Sequence, residues 1–120
     1  MREIKFRGKK ISNGKMIFGS FIDLYSEIST TKGNVYPVIR ETVDQYTGLK
    51  DKNGVEIYEG DIVEIIKEDG FFEVLYDCDT ARFIMSSNSL IVDFDNFNGN
   101  EIKVFDNIHE NPELLGELDE

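Results

Sequence analysis

A chain of 120 residues with nine Phe, five Tyr, no Trp and one cysteine suits one small domain, or one domain with an appended ribbon, and excludes an internal disulfide framework. A net charge of −11 at pH 7 sets the chain as a whole against nucleic acid and anionic membranes. No stretch approaches the ~20 apolar residues of a membrane span, and Met1 to Arg7 alternate charged and apolar residues where a signal peptide would run apolar, so a cytoplasmic protein is expected.

The first element in chain order is Glu3-Ile4-Lys5-Phe6-Arg7, whose alternation predicts a strand with one buried face. Asn13-Gly14 then turns the chain toward Ile17 and Phe18. Phe21 to Ile28 fits a strand or a short helix, and Ser29 to Asn34 reads as a mobile loop. Asn53-Gly54, Asp69-Gly70 and Asn98-Gly99 repeat the Asn13-Gly14 pattern. Each places a residue that tolerates positive φ beside glycine, which predicts type I′ hairpins.

Asp61-Ile62-Val63-Glu64-Ile65-Ile66-Lys67 is rich in β-branched residues and reads as the most buried strand, and Leu90-Ile91-Val92-Asp93-Phe94 as a second such run. Phe72, Val74 and Tyr76 alternate with Glu73 and Asp77, and Ile102 and Val104 alternate with Glu101 and Lys103. At the end, Asn111 can cap, Pro112 suits a first helical position and Gly116 can stop the turn, so one helical turn carrying Leu114 and Leu115 is expected. Many short strands joined by tight turns predict an all-β protein: an N-terminal β ribbon over residues 1–45, then a small SH3-like barrel over 46–120 with a short C-terminal helical turn.

The most distinctive block runs from Gln45-Tyr46-Thr47-Gly48 through Asp51, Asn53-Gly54, Tyr58-Glu59-Gly60-Asp61-Ile62-Val63. Physically, Gly60 permits unusual dihedrals at the start of a buried strand, and the Asp61 carboxylate can tie N–H groups of the turn. With this block, the opening Arg2-Glu3-Ile4-Lys5-Phe6-Arg7, Lys15-Met16-Ile17, and the closing Asn107-Ile108-His109-Glu110-Asn111-Pro112-Glu113-Leu114-Leu115, the chain resembles the YopX family of small phage and prophage proteins. The resemblance covers essentially the whole chain. It implies an SH3-like barrel in the C-terminal part and a phage setting, with no reaction, cofactor or catalytic residues. Its signature positions are Tyr46, Thr47, Gly48, Asp51, Asn53, Gly54, Tyr58, Gly60 and Asp61, of structural or interaction role.

Chemistry-bearing residues are sparse. Cys78 lies between Asp77 and Asp79, two charges that disfavour the thiolate, so a dyad with His109 is not expected. Asp93 to Val104 has a superficial likeness to a calcium loop. Counted from Asp93, however, the fifth, sixth and twelfth positions are Phe97, Asn98 and Val104, where an oxygen ligand, Gly and Glu are needed. One His and one Cys cannot build a tetrahedral zinc site. With 24 acids, chance pairs of carboxylates carry no information about hydrolysis. Neither catalysis, a metal nor a cofactor is expected.

Charge is unevenly placed. Residues 1–40 carry eight basic and three acidic side chains, a balance of +5, while residues 41–120 carry five and 21, a balance of −16. Chance clustering on a solvated surface is the plainest reading, and three sharper ones stand beside it. The opposed patches meet in a homo-oligomer or on a host or phage protein. Alternatively, Lys5, Arg7, Lys9, Lys10 and Lys15, beside Phe6 and Phe18, bind nucleic acid, against the charge of the rest. Or the acidic surface imitates a polyanion toward a DNA-binding protein. Of these three, the first is favoured, with neither nucleic acid nor membrane expected as a partner. For the barrel, Ile62, Val63, Ile65, Phe72, Val74 and Phe83 are expected to form the core. Ile65→Ala should lower stability by about 2–5 kcal/mol, the range for emptying a buried Ile site; urea denaturation checks this, and an unchanged midpoint would remove Ile65 from the core.

Overall fold

The computed structural model describes residues 4–66, 68, 70–87, 90–94 and 99–110. The expected helical turn from Asn111, the centre of the calcium-like loop, and Asp69 and Asn98 of two predicted turns lie outside these residues. The chain is all-β, in two compact units, Met1–Gly48 and Leu49–Glu120. Among the described residues no helix is long and apolar enough to cross a membrane.

In the first unit, strands β1 (Phe6–Lys9), β2 (Met16–Ile22), β3 (Glu27–Ser29), β4 (Val35–Pro37) and the start of β5 (Asp44–Lys50) pair antiparallel in the order β4-β3-β2-β1-β5. Five strands thus pair where the sequence suggests only a ribbon. After β4 the chain returns to the end of β1. Lys10 bridges Val38, with Ile11 N–H donating to the Pro37 carbonyl (3.1 Å) and Ile39 N–H to the Lys9 carbonyl (2.8 Å). The β1–β4 meander thereby satisfies backbone groups that a ribbon would leave at an open edge.

Two glycines make this small unit possible. A Cβ on Gly8 would stand 3.1–3.3 Å from Ile28, Val38 and Val43, so the bare backbone lets those side chains pack against β1. Gly19 sits where β2 leaves its pairing with β1 and takes up β3, since Gly19 is opposite Phe6 while Ser20 is opposite Ser29. A Cβ there would lie 2.0 Å from the Ser29 carbonyl oxygen.

The ambiguous stretch Phe21 to Ile28 is both strand and turn: β2 ends at Ile22, a 3-10 turn covers Asp23–Tyr25, and β3 begins at Glu27. Arg40 holds this turn. Its guanidinium donates to the Asp23 carboxylate and carbonyl and to Ser26 Oγ, and lies 5.6 Å from the Phe21 ring centroid.

Asn-Gly turns differ from the type I′ expectation. Of the residues at the Asn13-Gly14 and Asn53-Gly54 turns, only Gly14 (φ +71°) and Gly54 (φ +82°) have positive φ. The loop from Asp51 to Val55 closes with Gly54 N–H on the Asp51 carbonyl (3.0 Å) and Asp51 N–H on the Val55 carbonyl (2.7 Å). This is a three-residue loop with glycine in the left-handed region, in which Asn53 needs no strained dihedral.

In the second unit, the end of β5 turns back through that loop into β6 (Glu56–Tyr58). Five further strands follow: β7 (Asp61–Ile65), β8 (Phe72–Asp77), β9 (Arg82–Ser86), β10 (Ile91–Asp93) and β11 (Ile102–Asn107). The last five pair antiparallel as β10-β9-β8-β7-β11. Ile57, Val63, Ile65, Phe72, Val74, Phe83, Met85, Phe94 and Ile102 form one buried cluster. Ile62, on the opposite side of β7 from Val63, is also fully buried, which explains why β7 reads as a continuous apolar run. All six core positions expected from the sequence are buried. β11 keeps register with β7 from Ile102 to Val104, then shifts so that Asp106 faces Ile62, leaving Phe105 as a bulge.

Gly19 and Gly14 differ in surroundings, and substitutions there should cost unequally. Gly19→Ala should cost about 3 kcal/mol or more, because the new methyl meets backbone rather than a yielding side chain. Gly14→Ala, with open space around it, should cost only about 1 kcal/mol of dihedral strain. Thermal or urea melts of the two variants check this, and equal losses would reject the close-approach account of Gly19.

Candidate functional site

The signature block is built around two buried carboxylates. Asp51 follows β5 directly, and its side chain reaches back over the loop it starts. Oδ1 accepts the N–H groups of Asn53 (2.8 Å) and Val55 (2.9 Å), and Oδ2 accepts that of Val104 (2.9 Å) on β11. Lys52 N–H also donates to the Ile102 carbonyl (3.0 Å). One buried carboxylate thus fastens the β5–β6 loop to β11. Burial on its own would raise the Asp51 pKa. The backbone donors Val104, Val55 and Asn53, together with the Lys52 charge, outweigh burial and hold it below the ordinary carboxylate value.

Asp61 opens β7 and is only 2% exposed. Its Oδ2 accepts the Tyr58 N–H at 2.7 Å, closing the turn between β6 and β7. Gly60, at φ +85°, stands in the left-handed region that disfavours a side chain. Gly60 N–H donates to the Val74 carbonyl (2.8 Å), and the Gly60 carbonyl accepts the Ile108 N–H (2.7 Å). Tyr58 is buried, with its hydroxyl 3.0 Å from Glu56 Oε1.

The remaining signature residues fall in the first unit or at its end. Tyr46 and Thr47 are buried on β5, and Tyr46 N–H donates to the Lys5 carbonyl (2.8 Å) while Lys5 Nζ lies 5.3 Å from the Tyr46 ring centroid. Gly48 has φ +90°. The structure therefore gathers Asp51, Asn53 and Gly54 into one hydrogen-bonded knot and Tyr58, Gly60 and Asp61 into another.

Sequence reasoning missed the Arg7–Asp44 pair. Arg7 alternates with apolar residues and so reads as a solvent-facing cation, yet it is 6% exposed. Its Nε donates to Asp44 Oδ2 at 3.1 Å, and the two residues face each other across β1 and β5. The only available signal was an acid in the partner strand, invisible until the pairing is known. Cys78 is exposed in the turn after β8, where Asp79 N–H and Thr80 Oγ1 both donate to the Asp77 carboxylate. His109 lies in the turn after β11, its N–H on Asn107 Oδ1 (3.0 Å). Among the described residues no group of three or more His, Cys, Asp or Glu is placed to hold a metal ion.

These features define a class of small all-β protein whose distinctive residues act as turn clamps inside antiparallel sheets. The chain belongs to the YopX protein family, whose sequence profile matches residues 5–116. It is similar to protein EF1440 from Enterococcus faecalis. That crystal structure matches with a TM-score of 0.65 at 29% identity, over 96% of this chain and 99% of the other. No curated protein matches the chain.

Removing the Asp51 clamp tests its structural role. Asp51→Ala leaves three backbone N–H groups without their acceptor and should cost roughly 3 kcal/mol or more. Because the folded pKa lies below its ordinary value, the carboxylate's contribution is fully present above the unfolded pKa and is lost as pH falls through the folded pKa. The stability gap between the wild type and Asp51→Asn should narrow on acidification below about pH 4. Chemical denaturation across pH reads this, and a gap independent of pH would reject the charged clamp.

Proposed function

We propose that this protein is a non-enzymatic accessory protein of a phage or prophage, working in the bacterial cytoplasm through protein–protein contacts and assembling with copies of itself. The observation that carries the reading is the division of charge, +5 over residues 1–40 against −16 over residues 41–120. A chain so divided meets its electrostatic complement in every identical neighbour, and contact between unlike patches closes into a ring or continues as a filament.

The geometry supports protein rather than phosphate as partner. Arg7 is buried against Asp44. Lys5 and Lys10 lie beside the rings of Tyr46 and Tyr36, with Lys10 Nζ at 4.5 Å from its ring centroid. These cations already have partners within the chain, which weakens a basic stripe along a nucleic-acid backbone. Outward-facing apolar side chains are plentiful, among them Ile4, Ile11, Leu24, Ile66, Ile91 and Phe105. Their burial would supply most of the affinity, while charge sets orientation and encounter rate.

Light scattering in about 50 mM and about 500 mM salt, where screening differs severalfold, tests the proposal. An oligomer that weakens at high salt and in Lys9→Glu/Lys10→Glu is expected. A monomer at low salt and high protein concentration would overturn it; an oligomer indifferent to salt and charge reversal would keep the assembly and reject its electrostatic cause.

A further inference from the structure

Two turns, at Asn13-Gly14 and Asn53-Gly54, carry the same reactive pair in different surroundings. Asparagine is among the thermolabile residues. Its amide carbon lies close in the chain to the next peptide nitrogen, and a following glycine has no Cβ to obstruct attack by that nitrogen. Both asparagines are exposed. They differ in the charge around them and in how firmly each loop is held.

At Asn13 the side-chain Oδ1 accepts the Lys15 N–H at 2.9 Å. That bond closes a ring containing both Asn13 Cγ and the Gly14 nitrogen. It also places a donor on the oxygen that becomes negative when Cγ is attacked. Gly14 is at φ +71° with open space around it, and all of residues 11–15 are exposed. The loop is closed by bonds within itself, Lys10 N–H to the Lys15 carbonyl and Gly14 N–H to the Lys10 carbonyl, both 2.9 Å. Exposed backbone bonds of this kind open locally, which frees the Gly14 nitrogen. Lys9, Lys10 and Lys15 flank the site, and no acid occurs between Glu3 and Asp23. Nearby cations favour both the loss of the peptide proton and the negative tetrahedral adduct that follows.

Asn53 is the reverse case. Its own N–H donates to Asp51 Oδ1 at 2.8 Å, so a buried carboxylate stands beside the reacting groups and opposes negative charge there. The same carboxylate accepts the Val104 N–H, and Lys52 N–H donates to the Ile102 carbonyl, so this loop opens only by releasing β11.

We propose that Asn13 is a site of spontaneous modification in the folded protein, converting to aspartate and isoaspartate, and that the Asp51 clamp protects Asn53. The Gly14 nitrogen loses its proton to hydroxide and attacks Asn13 Cγ. The new N–Cγ bond closes a succinimide as the Cγ–Nδ2 bond breaks, and the amide nitrogen takes up a proton and leaves as ammonia. Water then opens the ring. Attack at Cγ gives aspartate; attack at the backbone carbonyl leaves the chain running through Cγ, as isoaspartate. Either product puts a carboxylate beside Lys9, Lys10 and Lys15 and lowers the balance over residues 1–40 from +5 to +4. The isoaspartyl form also adds a methylene to the backbone of the β1–β2 turn.

Peptide mapping by mass spectrometry tests this. The wild type is kept folded in mildly alkaline buffer, sampled over days and digested with trypsin, with an unincubated sample as baseline. The peptide of residues 11–15 should gain the mass of an amide-to-acid change at least severalfold faster than the peptide carrying Asn53, and as two separable products. In urea, where the clamp is lost, the two rates should differ less. Asp51→Asn should speed conversion at Asn53 severalfold and leave Asn13 unchanged. A folded protein in which Asn53 converts as fast as Asn13 would overturn the proposal, as would an Asn13 that stays intact when folded yet converts in urea. A ratio unchanged both in urea and in Asp51→Asn would overturn the protection of Asn53 by the clamp.

Discussion

Backbone N–H groups buried at turns must find acceptors, and the second unit answers that demand with carboxylates. Asp51 satisfies three such groups, one of them 53 positions away on β11. A charged acceptor strengthens each bond by roughly a factor of two over a neutral one. The β5–β6 loop could form without β11, since its own bonds are local. With Asp51 shared between them, loop and strand are held together. Asp61 repeats the solution on a smaller scale, linking Tyr58 to the start of β7 while Gly60 bonds β8 and the segment after β11. Because strand β7 is covered on both faces, its ends have little access to water, and side-chain acceptors take water's place.

Strand content and core were legible because they depend on local periodicity. The run Asp61 to Ile66 and the alternation of Phe72 and Val74 state directly which side chains face inward. Closure of the first unit was not legible. It depends on Lys10 meeting Val38, a pairing that no local pattern encodes, and on Gly8 and Gly19, which read as ordinary weak points in strands until their neighbours are placed. The turn type was half legible: glycine marked the position, but loop length decided that Gly54 alone takes positive φ. Of the candidate site, the positions of Asp51 and Asp61 could be read as turn formers. The long-range bond from Val104 to Asp51 could not, since 24 acids offer no spacing that singles one out.

Charge in this chain has two physical roles, separated by burial. Arg7 and Asp44 are taken out of water together, and their pairing fixes β1 against β5. Losing either partner would leave an uncompensated buried charge, a larger penalty than the pair's own net contribution. Arg82 with Asp93, and Arg40 with Asp23, are more exposed pairs on turns and sheet edges, where screening leaves at most about 1 kcal/mol each. Taking Arg7 and Asp44 out of water changes the balance only from +5 to +4 over residues 1–40 and from −16 to −15 over residues 41–120, because each of the other two pairs lies within one half.

That distinction bears on how the buried polar groups and the outer faces of the strands divide their tasks. Its buried polar groups tie turns, so the outer faces of the strands are free to carry apolar side chains with little effect on the fold. Phe105 shows the principle at one position. The bulge removes it from the ladder, yet Val104 and Asp106 on either side keep their partners on β7. A residue held by its neighbours but absent from the pairing can be changed without unzipping the sheet, and it stands outward by the geometry of the bulge rather than by a flexible loop. Rigid presentation lowers the ordering cost of any contact such a residue makes.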